Sequence, residues 1–249
     1  SRRDSDTTTN VLLATRNAFA DDADDASAAA VLALVGEQSD IDELANMLST
    51  AQPAWRTAVG QSMLHRGIDA PLLARAEDPV LYPLALEAVS RGPGLDALQR
   101  TLALKPLPQH VQRWQTQVLK NAAEVEQDEF LAVDDLLSTH DVFTAAQRAS
   151  VLGAAFGQSD LPEADRLAIA RRLAPLVLES GDPRAVVALL EQLPADSLDA
   201  ELDGLRFDAA IRGRMWDEAQ LMRPEATDWV AVYERLTDPQ PEAAELVKA

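Results

Sequence analysis

Few residues in this chain have the type and spacing to do chemistry. His65, His110 and His140 lie 45 and 30 positions apart, and none has a histidine three or four residues away that would suit zinc on a helix. The chain has no cysteine, which excludes thiolate metal sites, iron–sulfur clusters, a cysteine nucleophile and a disulfide scaffold. Gly92-Pro93-Gly94-Leu95-Asp96-Ala97 matches G-x-G-x-x-A. A dinucleotide site needs a strand before that motif, and here a helical pattern precedes it, so it reads as a helix–helix turn. No phosphate-binding G-x-x-x-x-G-K-[ST] and no G-x-S-x-G nucleophile turn is present.

Carboxylate clusters fare no better. Asp21, Asp22, Asp24 and Asp25 suggest a calcium loop, but Ala26, Ser27 and Ala33 occupy the positions of a ligand, the central glycine and the bidentate glutamate. They read as an acidic entry to a helix. Asp134 and Asp135 are adjacent, so on a helix they point about 100° apart and do not converge on one substrate. No catalytic residue, metal ligand or cofactor site is expected. The remaining candidates are for binding a partner. Trp55, Trp114, Trp216 and Trp229 fall on apolar stripes, where core packing competes with a role as an interface anchor. Arg171-Arg172, and Arg212 with Arg214, are local basic spots that suit either neighbouring acids or an acidic segment of a partner.

The whole chain has 249 residues, with 41 acidic and 22 basic side chains and a net charge of −19. That balance opposes nucleic acid and anionic membrane surfaces, both of which call for clustered cations. Only three residues are lysine, and Asp exceeds Glu, a bias that codon usage in a GC-rich genome explains. The longest fully apolar run, Ala28–Val35, has eight residues, whereas a membrane helix needs about 20. A soluble chain is expected, in the cytoplasm by preference, with a cleaved leader left open.

The elements that must position any site are helices. Period-2 alternation is absent, and helical periodicity runs almost throughout. Helices are expected at Val11–Phe19, at Ala28–Val35 with Ser27 as cap, and after Asp40 as cap. Further helices follow around Trp55–Met63, in a short Pro71–Arg75 segment, and at Leu95–Leu104, His110–Ala123, Phe130–Leu137, Ala145–Phe156, Pro183–Leu193 and Trp216–Met222. After Asp78-Pro79, Pro83 marks either a helix start or a kink. Pro175 should bend or split the helix that begins at Glu163. Leu198, Leu202, Leu205 and Ala209 recur at four, three and four, an amphipathic pattern. Asp228 should cap Trp229–Leu236.

Helix pairs recur at about 25–35 residues, the period of stacked helical hairpins. Asp78-Pro79, the apolar helix through Val89, Gly92 and the next helix together resemble a HEAT repeat, whose first helix often carries a proline. "GRMWDEA", Gly213 to Ala219, resembles the turn of a tetratricopeptide repeat, one residue too long and without that motif's Trp and Tyr. The resemblance implies an all-α α-solenoid: a disordered tail at 1–10, HEAT-like repeats at 11–157, tetratricopeptide-like hairpins at 158–238 and a tail at 239–249. It also implies a non-catalytic scaffold or adaptor that binds a protein or peptide, basic partners being favoured by the acidic surface. Partner contact is assigned to Trp55, Trp114, Arg171, Arg172 and Trp216. The competing readings are an α/α-toroid enzyme, which would need convergent polar residues at helix ends, and the helical part of a larger protein.

Overall fold

A helix with one apolar face is stable only when another element covers that face. The computed structural model describes residues 2–126, 129–158 and 160–223, with side chains from Asn10 onward. The expected helix Trp229–Leu236, its cap Asp228 and the tail at 239–249 lie outside the described residues. Among the described residues there are fourteen α-helices and no strand. None is long and apolar enough to cross a membrane. The chain divides into two compact units, one ending at Glu124 and the other beginning at Val125.

The first unit holds α1 (Arg2–Asp21), α2 (Ala26–Val35), α3 (Gln38–Met47), α4 (Pro53–Arg66), α5 (Ala70–Leu73), α6 (Tyr82–Val89), α7 (Gly94–Ala103) and α8 (Val111–Ala123). The second holds α9 (Phe130–Ser138), α10 (Ala145–Phe156), α11 (Glu163–Glu179), α12 (Pro183–Leu190), α13 (Ala200–Arg212) and α14 (Trp216–Met222). Within each unit the main contacts join helices one or two apart in the chain, such as α2 with α4, α7 with α8, and α10 with α11. The expected change of hairpin type after Gly157 falls inside the second unit, at the junction of α10 and α11.

Several local expectations are corrected. Residues 2–9, expected as a disordered tail, belong to α1. Asp25 rather than Ser27 caps α2, accepting from the amides of Ser27 at 2.8 Å and Ala28 at 3.3 Å. Asp40 is not the cap of α3 but its third residue, and it accepts from the Glu37 amide at 2.7 Å. A carboxylate one turn inside a helix can reach back to the free amide at its start. Pro83 takes the second position of α6, where a missing N–H costs nothing; it starts a helix rather than kinking one. Pro175 lies inside α11, which continues to Glu179. Losing that N–H costs about 3 kcal/mol in a helix interior; burial of Leu173, Ala174 and Leu176 on either side offsets it.

In the first unit Leu32, Leu44, Trp55, Met63, Leu72 and Leu81 form the centre of the core. Each such side chain contributes about 1.5–3 kcal/mol when fully buried. Gly60 allows α4 to approach α6: a Cβ there would stand 2.6 Å from Leu84 Cδ1. Gly153, inside α10, has nothing within 4 Å of such a Cβ. Alanine gains about 1 kcal/mol over glycine in a helix interior, whereas overpacking costs about 1–3 kcal/mol. Denaturant titration should therefore show Gly153→Ala stabilised by up to about 1 kcal/mol and Gly60→Ala neutral or destabilised. A clear gain at Gly60 would mean that α4 and α6 are not in tight contact.

Arginines tie the helices together. Arg16 on α1 bonds Asp40 at 2.8 and 2.9 Å and Glu37 at 2.8 Å. That guanidinium is the main cause holding the Asp40 carboxyl below its usual 3.8. Asp199, the cap of α13, is also lowered, first by the Leu202 amide and further by Arg171. A carboxyl depressed in the folded state contributes stability above its unfolded value, and that contribution is lost as pH falls through the folded value. Stability should thus fall as pH drops below about 4. In thermal melts, Asp40→Asn and Asp199→Asn should each lower the midpoint at neutral pH and lose less than the wild type between about pH 6 and about pH 3. An unchanged acid limb in both variants would count against these two groups.

Candidate functional site

α6 and α8 both rest on α7. An open cleft of about 330 Å³ lies between them. Its α6 side presents Leu86 and Glu87, with Arg91 in the turn beyond. Its α8 side presents Arg113, Gln117 and Lys120 at spacings of four and three, one face of the helix.

The wall of the cleft is fixed by a polar ladder to α7. Asn121 is buried; its Nδ2 donates to Thr101 Oγ1 at 2.9 Å and to the Ala97 carbonyl at 3.4 Å. Thr101 Oγ1 donates in turn to the Ala97 carbonyl at 2.7 Å. Trp114 Nε1 donates to the Thr101 carbonyl at 2.8 Å. Gln117 Nε2, at the cleft, donates to Asn121 Oδ1 at 2.9 Å. Each buried polar atom left unpaired would cost about 1–3 kcal/mol, so this set fixes the register of α8 on α7.

Elsewhere in the first unit, the Tyr82 and His110 rings stack with centroids 5.0 Å apart and planes within 4°. His110 Nε2 donates to the Pro79 carbonyl at 2.9 Å. The Tyr82 hydroxyl is buried without a partner, and burial pushes it up to about 12. It therefore stays protonated at neutral pH and is no base. His65 is exposed, and His140 meets Phe143 edge-on at 6.3 Å. Among the described residues no cluster of three or more His, Asp or Glu could hold a metal ion.

In the second unit a charged cluster joins three helices. Asp134 on α9 is buried, and Arg148 on α10 reaches its Oδ1 with two nitrogens, each at 2.8 Å. Arg172 on α11 lies 3.5 Å from Asp134 Oδ2, pairs with Asp135, and donates to the Leu131 carbonyl at 3.3 Å. Asp135 is the main cause that raises the Arg172 guanidinium. Asp134 is the buried centre of this cluster.

The five expected contact residues part company. Trp55 is 2% exposed, with Nε1 donating to the Ala23 carbonyl at 3.1 Å, and Trp114 is 2% exposed in the ladder. Both belong to the core and offer no ring to a partner. Arg171 bonds Asp199 at 2.7 Å, and Arg172 is held in the Asp134 cluster. Trp216 is 38% exposed on α14. The structure does not bring these five together.

Comparisons with protein-family models, curated proteins and solved structures found no match. The cleft and the cluster must be judged on their own chemistry. Sequence reasoning passed over Asn121 and the cleft residues of α8 and weighed Asp134 only as half of a carboxylate pair, although a signal existed. Asn121 follows Trp114 by seven residues and Asp134 follows Phe130 by four, which places both polar groups on apolar stripes.

Replacing Asp134 separates structure from surface. Asp134→Asn should lower stability by about 1–3 kcal/mol, since it leaves Arg148 and Arg172 facing a neutral amide. Asp135→Asn, at an exposed carboxylate, should cost no more than about 1 kcal/mol. Equal losses by urea unfolding would show that burial of Asp134 has no energetic consequence.

Proposed function

We propose that this chain is a non-catalytic binding scaffold, built as an α-solenoid of stacked antiparallel helical hairpins. The hairpins are read as HEAT-like up to 157 and tetratricopeptide-like from 158. The observation that carries this reading is the order of contacts: within each unit, helices rest mainly on neighbours one or two along the chain. A globule closed around a central helix would pair elements distant in sequence. Chain-order stacking leaves one face of successive helices free, and such a face offers contact area with little ordering cost on binding.

The polar groups support binding over turnover. The buried ones are spent on fixing helices: Asn121 on α7, Asp134 on two arginines, Trp55 on a carbonyl. A charge of −19 speeds encounter with basic partners at low salt.

The test is capture from a lysate of the source organism on the immobilised chain, at low and at high salt, followed by mass spectrometry. The scaffold reading expects a stoichiometric protein partner at low salt that is released at high salt. Absence of any partner in both conditions, with turnover on a panel of sugars or phosphoesters, would replace it with an enzyme.

A further inference from the structure

The scaffold reading leaves the partner's chemistry open, and the cleft between α6 and α8 narrows it. Acids outnumber bases by nearly two to one in this chain. Yet the cleft gathers three cations, Arg91, Arg113 and Lys120, against two acids, Glu87 and Glu124. Many arginines elsewhere are held by the fold: Arg16, Arg148 and Arg172 hold acids, while Arg66 and Arg100 hold carbonyls at helix ends. Arg113 and Lys120 make neither an ion pair nor a side-chain hydrogen bond to any described residue. Glu87 precedes Arg91, and Lys120 precedes Glu124, by one helical turn, but neither acid makes an ion pair with its neighbour. Arg91 has only a long contact of 3.5 Å to Asp69.

We propose that this cleft binds an extended acidic peptide segment of a partner protein, with carboxylates three residues apart. Arg113 and Lys120 are seven residues apart on α8, a rise of about 10 Å. Three residues of peptide in the extended polyproline II conformation span about 9 Å and make one turn, which brings positions i and i+3 to the same face, so their side chains meet both cations. Gln117 lies between them, its Nε2 already committed to Asn121. Its Oε1 is left to accept from a peptide N–H. The ladder behind it makes that acceptor rigid, which lowers the ordering cost of binding.

This inference rests on the scaffold reading for its biological meaning and reverses, at one site, the preference of the surface for basic partners. The −19 field slows the approach of an acidic segment, but at physiological salt it is screened beyond about 8 Å. Contact pairs within the cleft lie well inside that distance, so the complex is decided by its dissociation rate.

The experiment uses the full chain and a fluorescein-labelled alanine hexapeptide carrying glutamates three apart, read by anisotropy. Controls carry glutamine at both positions, or lysine at both. The glutamate peptide should bind at least about tenfold more tightly than the glutamine one. Arg113→Ala with Lys120→Ala should abolish that difference, with the circular dichroism melt unchanged because both side chains are exposed. Three results overturn the proposal: no binding of the glutamate peptide, equal binding of the glutamine or lysine peptide, or full affinity in the double variant. Should the double variant melt early, Arg113→Gln and Lys120→Gln singly give the same reading. A lysate partner captured equally by wild type and double variant would overturn the cleft proposal while the scaffold reading stands.

Discussion

Short helices cannot stand alone, and that constraint shapes everything else in this chain. Among the described residues, every helix except α1 and α11 has fourteen residues or fewer. Isolated helices below about 12–15 residues are marginal in water. Each must therefore be held by its neighbours, and the nearest neighbours in the chain are the first available. Apolar stripes supply most of the stabilisation, as Leu32, Leu44 and Met63 do in the first unit. They are not selective about register, because one leucine fits a groove much as another does. Register falls to the few buried polar groups. Asn121 can satisfy both of its amide donors only where Thr101 and Ala97 are opposite it. Asp134 can meet two guanidinium groups only where α9, α10 and α11 converge.

The all-helical class was legible because periodicity is a local property. Most helices fall where the apolar spacing put them, and turns such as Gly67, with φ of 81°, end them as glycine should. The errors came where two local signals competed. Ser27 and Asp25 are both good caps, and the choice was made by where the helix had to begin for Ala29 and Leu32 to be buried. Pro175 forbids a hydrogen bond but not a helix, and burial around it prevailed. These contests are settled by tertiary contacts, which no window of sequence contains.

The site was less legible than the fold, for a related reason. Trp55 and Trp114 drew notice because large aromatics anchor interfaces, yet their spacing with Val59 and Val118 already placed them inside. Arg171 and Arg172 suited either acids of the fold or a partner's acids, and the sequence could not choose, because their acids, Asp199 and Asp134 with Asp135, lie 28 to 38 residues away. The residues of α8 that line the cleft carried no motif. Arg113, Gln117 and Lys120 resemble any solvated helix face until α6 is placed across from them. A cleft is a relation between two elements, and only the fold states it.

The excess of acid also takes on a structural meaning. Codon bias explains why Asp is common, but not where it sits. Asp25, Asp182 and Asp199 each accept from backbone amides at the start of a helix. A short carboxylate suits that task, since it reaches the free N–H groups of its own first turn and meets the positive end of the helix. Arginine does the converse at helix ends, where Arg66 reaches the Gly36 carbonyl at 2.7 Å and Arg100 the Arg91 carbonyl at 2.7 Å. Many charges are thus committed to helix termini before any partner arrives. In the α6–α8 cleft, Arg113 and Lys120 share one face of α8 with no such commitment, in a chain where acids to pair with are never scarce.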